Sequence, residues 1–206
     1  MGKRIYITGI GTDVGKTIVS AIVTEALEAD YWKPIQAGDI DYGDTEKVME
    51  LISNKKSISY PNAYLLNTPM SPHAAAKIDG VKIELDNIKE PETHNHLVIE
   101  GAGGLLVPLN NENTILDTIN IKHSVILVSR HYLGSINHTL MSIELLKNRN
   151  HKVSIIFNGP ENKTTESIIS KMTNINVIGR IDEEKNITKK IISKYAKAFK
   201  ANLNNI

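Results

Sequence analysis

The feature that most constrains this chain lies close to its N-terminus. An apolar run, Arg4–Thr8, leads directly into Gly9-Ile10-Gly11-Thr12-Asp13-Val14-Gly15-Lys16-Thr17, and a helical pattern, Thr17–Glu28, follows. Glycines let the backbone turn so tightly that successive N–H groups face one small concavity. A helix that starts there adds the partial positive charge of its N-terminus. Strand, glycine-rich loop, Gly-Lys-Thr and helix, in that order, make a phosphate-binding loop. In such a loop Lys16 reaches the β- and γ-phosphates of a nucleotide, and the Thr17 hydroxyl is placed to ligate Mg²⁺. The general pattern has four residues between its glycines. Gly9 and Gly15 enclose five, so the match is to a variant. The plainer alternative is a turn that merely caps a helix; the four features occurring together argue against it.

The same alternation continues along the chain. Apolar runs recur at Tyr31–Lys33, Leu97–Glu100, Ser124–Ser129, Lys152–Asn158 and Asn176–Ile181. Helical patterns fall at Asp44–Ser53, Ser71–Lys77, Ser135–Asn148, Thr164–Met172 and Glu184–Asn202. Most runs are solidly apolar, which suits strands buried on both faces of a parallel sheet. Alternating strands and helices imply right-handed βαβ units. The expectation is an α/β chain with a single-domain P-loop NTPase-like fold over residues 1–206: a mostly parallel sheet with helices on both faces. Residues 57–96 are more polar, carry Pro61, Pro69, Pro72 and Pro91, and read as an irregular insertion or lid.

Composition narrows the function classes. The chain has 206 residues, with 24 Lys and Arg against 23 Asp and Glu, for a net charge of +1. That balance argues against a protein that coats nucleic acid. The absence of cysteine excludes disulfides, thiolate metal sites and cysteine nucleophiles. No stretch approaches the ~20 apolar residues of a membrane span. The first apolar run is too short for a signal-peptide core, and the expected location is the cytoplasm. From Lys185 onward there are six lysines and no acidic residue, with Ile187, Ile191, Ile192, Tyr195 and Phe199 on roughly one helical face. A membrane-surface helix would look like this; a closing helix with a solvated lysine face is the preferred reading.

Other candidates gain meaning from the loop. Lys33-Pro34 ends the second run, at the sheet edge where open α/β folds bind ligands; without the loop it would read as a surface lysine. Asp44, after Gly43, reads first as a helix cap, and alternatively as a Mg²⁺ carboxylate. Glu100 ends an apolar strand and is followed by Gly-Ala-Gly-Gly, as a metal-binding strand end would be; the alternative is a solvated turn residue. Gly134, Ser135 and Asn137 open a helix. Ser135 suits an N-cap, and the free N–H groups there suit an anion. His73 and His138 are given no catalytic role.

Read together, the motifs resemble the dethiobiotin synthetase family over nearly the whole chain. They are Thr8-Gly9 through Asp13-Val14-Gly15-Lys16-Thr17, Lys33-Pro34, Ser71-Pro72-His73, Glu100-Gly101-Ala102-Gly103-Gly104 with Pro108-Leu109, Val125–Val128, and Leu133-Gly134 with Ile136-Asn137-His138. The five-residue spacing in the loop is the family's own. The resemblance implies that MgATP and CO₂ act on 7,8-diaminononanoate to close the ureido ring of dethiobiotin, through a carbamate and a carbamic–phosphoric anhydride. It implies Lys16, Lys33 and Thr12 as catalytic residues. Gly9, Thr12, Asp13, Val14, Gly15, Lys16, Thr17 and Asn158 would bind the nucleotide, Asn158 reading the adenine edge with its amide. Thr17, Asp44 and Glu100 would hold Mg²⁺. Thr12, Lys33, Ala37, Gly134, Ser135 and Asn137 would bind the substrate, the last three its carboxylate. A homodimer is implied, with the substrate site at its interface; no nucleic-acid or membrane partner is. Three positions depart from the family pattern. Ala37 stands where some members carry a hydroxyl, so that contact is absent or moved to Gln36. Asp13 stands for a longer Glu, and Gly11 for an Asp.

Two rivals are weighed. Partitioning and cell-division ATPases of the MinD/ParA type share the expected fold, but carry an extra lysine where this chain has Gly11. Glutamine-dependent synthases acting on corrinoids need a cysteine nucleophile, and there is none.

Overall fold

The computed structural model describes residues 2–206. Its central strand is β1 (Arg4–Gly9), which feeds the glycine-rich loop and then α1 (Lys16–Leu27). The chain continues through β2 (Asp30–Trp32), β3 (Ile35–Ala37), α2 (Asp44–Leu51), β4 (Ser59–Tyr60), β5 (Tyr64–Leu66) and α3 (Pro72–Ile78). It then alternates through β6 (Leu97–Gly104), β7 (Ser124–Arg130), α4 (Ser135–Asn148), β8 (Lys152–Asn158), α5 (Lys163–Thr173), β9 (Asn176–Ile181) and α6 (Lys189–Asn204).

Among the described residues, seven strands form one sheet in the order β4-β2-β6-β1-β7-β8-β9, every pair parallel. Successive side chains of β1 serve opposite layers. Ile5 and Ile7 lie under α1, α2 and α6, whereas Tyr6 packs with Trp32, Ile99 and Val125 on the other side. Under α4 and α5, Leu127, Ile143, Ile155, Phe157 and Ile169 form a third cluster. This two-faced burial explains why the runs are solidly apolar. Each fully buried aliphatic side chain contributes roughly 1.5–3 kcal/mol.

The expected strands are present, and so are the expected helices. The structure differs in three places. Residues 57–96 hold β4, which extends the main sheet beside β2, β5, which pairs with β3, and α3. The last helix starts at Lys189 rather than Glu184, because the Thr188 side chain caps it by accepting from Ile191 N, and Glu184 is drawn to Tyr195 and Lys194. Strand β6 does not stop at Glu100 but runs on through Gly104.

Helix α6 buries Ile192, Tyr195, Ala196, Phe199 and Leu203 in the same cluster as α1. Its apolar face is therefore covered by the protein itself, as a closing helix requires. The fit is tight at Gly179 on β9, where an added Cβ would lie 2.2 Å from the Phe199 ring.

At the opposite end of the sheet from the loop, Glu90 clamps the strand starts. Its carboxylate accepts from Arg4 Nε at 2.5 Å and pairs with His123 Nε2 at 2.8 Å. Arg4 also donates to the Thr93 and Asn95 carbonyls, which fastens the chain ahead of β6 to β1.

Candidate active site

Register decides what meets at the C-terminal sheet edge. Ile7 of β1 pairs with Glu100 of β6, so Glu100 stands beside the start of the phosphate loop. Trp32 of β2 pairs with Ile99, which brings the next residue, Lys33, to the same edge. These residues and the loop line a cavity of about 830 Å³.

The loop is built on backbone that only glycine tolerates comfortably. Gly15 has φ +95°, and a Cβ there would lie 2.3 Å from Asn158 Nδ2. Asp13 also adopts a left-handed conformation, with φ 56°. Val14 is buried, and a Cβ on Gly9 would lie 2.5 Å from it, so the loop closes around an apolar plug. Gly9 and Val14 thus lie behind the loop, whereas Thr12, Asp13, Gly15, Lys16 and Thr17 face the cavity. Asn158, at the end of β8, lines the cavity and donates from Nδ2 to the Val14 carbonyl at 2.8 Å.

Lys16 is 8% exposed and donates to the Gly11 carbonyl at 2.9 Å. Burial, with the nearby charge of Lys33, pulls its pKa down to about 8. Lys33 has the opposite surroundings. Its ammonium lies 2.7 Å from Asp44 Oδ2 and 3.0 Å from Glu100 Oε1. Burial would lower its pKa, but the two carboxylates outweigh it and hold the value above that of an ordinary lysine. Thr17 Oγ1 stands 3.1 Å from both Asp44 Oδ1 and Glu100 Oε1. The surface reading of Lys33 and the solvated reading of Glu100 both fall: they are 4% and 1% exposed.

Asp44 is not the helix cap. Gly43 takes that place, and its N–H is satisfied by Glu46 Oε2 at 2.9 Å. The Asp44 carboxylate is free to turn toward the loop, where Lys33, against the opposing effect of burial, holds its pKa below the usual range. Gln36 steadies this arrangement, donating to the Gly38 carbonyl and accepting from Asp44 N. Its amide is thereby engaged with backbone, and both Gln36 and Ala37 line the cavity.

Gly134, Ser135 and Asn137 are not brought into this cavity. They open α4, and Gly134, at φ +101°, is its N-cap. Ser135 is the first helical residue and is 2% exposed, so the expected serine cap gives way to glycine. Around them Tyr132, Leu133, Ile136 and Met141 are exposed, Leu133 fully. His73 and His138 bond within local turns, to Ser71 Oγ and Tyr132 Oη.

Sequence reasoning missed Tyr31, whose hydroxyl donates to Glu100 Oε2 at 2.9 Å. Burial and the Glu100 charge raise its pKa well above that of a free phenol. It also missed Arg130, which lines the cavity and donates to the Asp13 carbonyl at 3.3 Å. The available signal for Tyr31 was a hydroxyl in a short strand that leads into Lys33.

The donor set suits a hard cation: one hydroxyl and two carboxylates on one wall, with no sulfur or imidazole. Among the described residues, no group of three or more His, Asp or Glu gathers that could hold a metal unaided.

A family model described as an AAA domain matches residues 3–190. A protein of Christiangramia forsetii named ATP-dependent dethiobiotin synthetase BioD is 59% identical over 204 residues, covering 98% of this chain and 99% of that protein. A protein of the same name from Cytophaga hutchinsonii is 50% identical over 197 residues, covering 94% of this chain and 95% of that one. Among solved structures, a putative plasmid partition protein of Borrelia burgdorferi bound to AMPPNP superposes with a TM-score of 0.61 at 16% identity, covering 100% of this chain and 99% of that one. At that identity the likeness concerns the fold alone.

Proposed function

This chain belongs to the ATP-dependent dethiobiotin synthetase family, and from that premise we propose how its cavity closes a ureido ring. The protein is an ATP-dependent cyclo-ligase of biotin synthesis. Its substrates are 7,8-diaminononanoate, CO₂ and ATP. One substrate amine adds to CO₂ and loses a proton, giving a carbamate. A carbamate oxygen attacks the γ-phosphorus and ADP leaves. The second amine attacks the carbonyl carbon of the mixed anhydride, phosphate departs with the carbamate oxygen, and a proton is lost as the ring closes.

The chain's residues supply charge and alignment, which is most of what phosphoryl transfer asks of a protein. Loop N–H groups and Lys16 hold the β- and γ-phosphates. Lys33 stands on the other side of the transferring group and balances the carbamate. Thr12 orients the substrate; it lines the cavity with Asp13 and Ala37. Asn158 Oδ1 accepts from the adenine amino group while its Nδ2 stays on the loop. Thr17, Asp44 and Glu100 would hold Mg²⁺, which when bound neutralises charge on the β- and γ-phosphates. The observation that carries this reading is that Lys16, Lys33, Thr17, Asp44 and Glu100 form one wall of a single cavity.

The substrate carboxylate is held by Gly134, Ser135 and Asn137 of a second copy, so the working unit is a homodimer. Support comes from the positive end of the α4 dipole, where the Ser135 N–H itself already donates to the Tyr132 carbonyl at 3.0 Å, and from the exposed apolar side chains around Leu133. The enzyme works in the cytoplasm; among the described residues no helix is long and apolar enough to cross a membrane. Incubation with diaminononanoate, bicarbonate and MgATP should yield dethiobiotin and ADP in equal amounts by mass spectrometry. No dethiobiotin at saturating substrate would refute the reading.

A further inference from the structure

The two oxygens of Glu100 have different surroundings. Oε1 lies 3.0 Å from Lys33 Nζ and 3.1 Å from Thr17 Oγ1, at the cavity wall. Oε2 faces Tyr31, which donates to it at 2.9 Å. Among the described residues, no other hydrogen bond reaches Oε2. The side chain of Glu100 is 0% exposed, so water does not take that place freely. Tyr31 is also fully buried and does not line the cavity.

The last torsion of a glutamate side chain is soft and holds no orientation by itself. A carboxylate facing two donors on one side would turn to share both oxygens with them. A donor fixed on the far oxygen prevents that turn. We infer that Tyr31 is a positioning residue: by occupying Oε2 it holds the Glu100 carboxylate in the rotation that presents a single oxygen to the cavity. It works as the outer partners of metal-binding carboxylates do, by setting the direction of the inner one. It never touches substrate or nucleotide. This inference rests on the reading of Glu100 as a Mg²⁺-facing carboxylate.

Tyr31→Phe keeps the ring that packs in the core and removes only the hydroxyl. Mn²⁺ binding to the enzyme with a non-hydrolysable ATP analogue, followed by electron paramagnetic resonance, should weaken by about tenfold or more. Affinity for the metal-free nucleotide should stay within twofold of wild type, and the KM for the diamine should hold while kcat falls. A purely structural role would lower the melting temperature and leave Mn²⁺ affinity unmoved; Mn²⁺ affinity within twofold of wild type would overturn the inference. Glu100→Gln separates it from its premise. If Glu100→Gln weakens Mn²⁺ binding and Tyr31→Phe does not, only the role of Tyr31 falls; if neither does, the reading of Glu100 falls and takes Tyr31 with it. If Tyr31→Phe lowers the melting temperature, the double variant with Glu100→Gln separates the two effects. There Tyr31→Phe should change Mn²⁺ affinity by less than twofold, and a larger further loss would contradict action through Glu100.

Discussion

Lys16 and Lys33 carry the same formal charge in opposite surroundings. Lys16 is buried against a carbonyl, with its pKa pulled down to about 8, and lacks a counter-ion that a phosphate would supply. Lys33 is already neutralised by Asp44 and Glu100. Removing the first should therefore cost catalysis and not stability. Lys16→Ala is expected to lower kcat/KM by at least about 10², with a melting temperature no lower than wild type; near-normal turnover would sink the site assignment. Asp44→Asn should raise the Mg²⁺ concentration for half-maximal activity by about tenfold; an unchanged Mg²⁺ titration would leave Asp44 a structural residue. Lys16 and Thr17 were legible because their motif is local. Asp44 looked like a cap because residue preference at a helix start cannot register Lys33 reaching it from another element. Tyr31 was illegible for a related reason: its hydroxyl finds its partner 69 positions away.

At the scale of elements, the long strands and the six α-helices were readable from apolar runs and 3.6-residue periodicity. Strands β3, β4 and β5 were not: two or three residues are too few to show a period, and β2, equally short, was read only as the run Tyr31–Lys33. The start of α6 shifted because a threonine cap outweighs a continuing pattern. The clamp at Glu90 likewise joins elements that lie far apart in sequence. Burial would raise the Glu90 pKa, but His123 and Arg4 outweigh it and hold it below the ordinary 4.5. A depressed carboxylate pKa stabilises the fold above the unfolded value and loses that effect as pH falls through the folded value. Glu90→Gln should therefore be less stable than wild type at neutral pH by about 1–3 kcal/mol. The difference should close as pH falls below about 4.5. A gap that persists at pH 3 in denaturant titrations would contradict the ionic account of this clamp.

At the scale of the whole molecule, the cavity is lined by the phosphate loop, Lys16, Lys33 and Arg130, which suit the nucleotide. The α4 start that suits a carboxylate lies outside it, ringed by exposed Leu133, Ile136 and Tyr132. A second copy completes the pocket in this account. Leu133→Asp should give a monomer by light scattering and raise the KM for the diamine while leaving ATP binding intact; a dimer with normal KM would remove α4 from the interface. The most direct measurement follows the oxygen that the central chemistry moves. With ¹⁸O-labelled bicarbonate in unlabelled water, sampled before the label exchanges, the account predicts one ¹⁸O in the phosphate released with each dethiobiotin. Unlabelled phosphate accompanying dethiobiotin would contradict phosphorylation of a carbamate at this site.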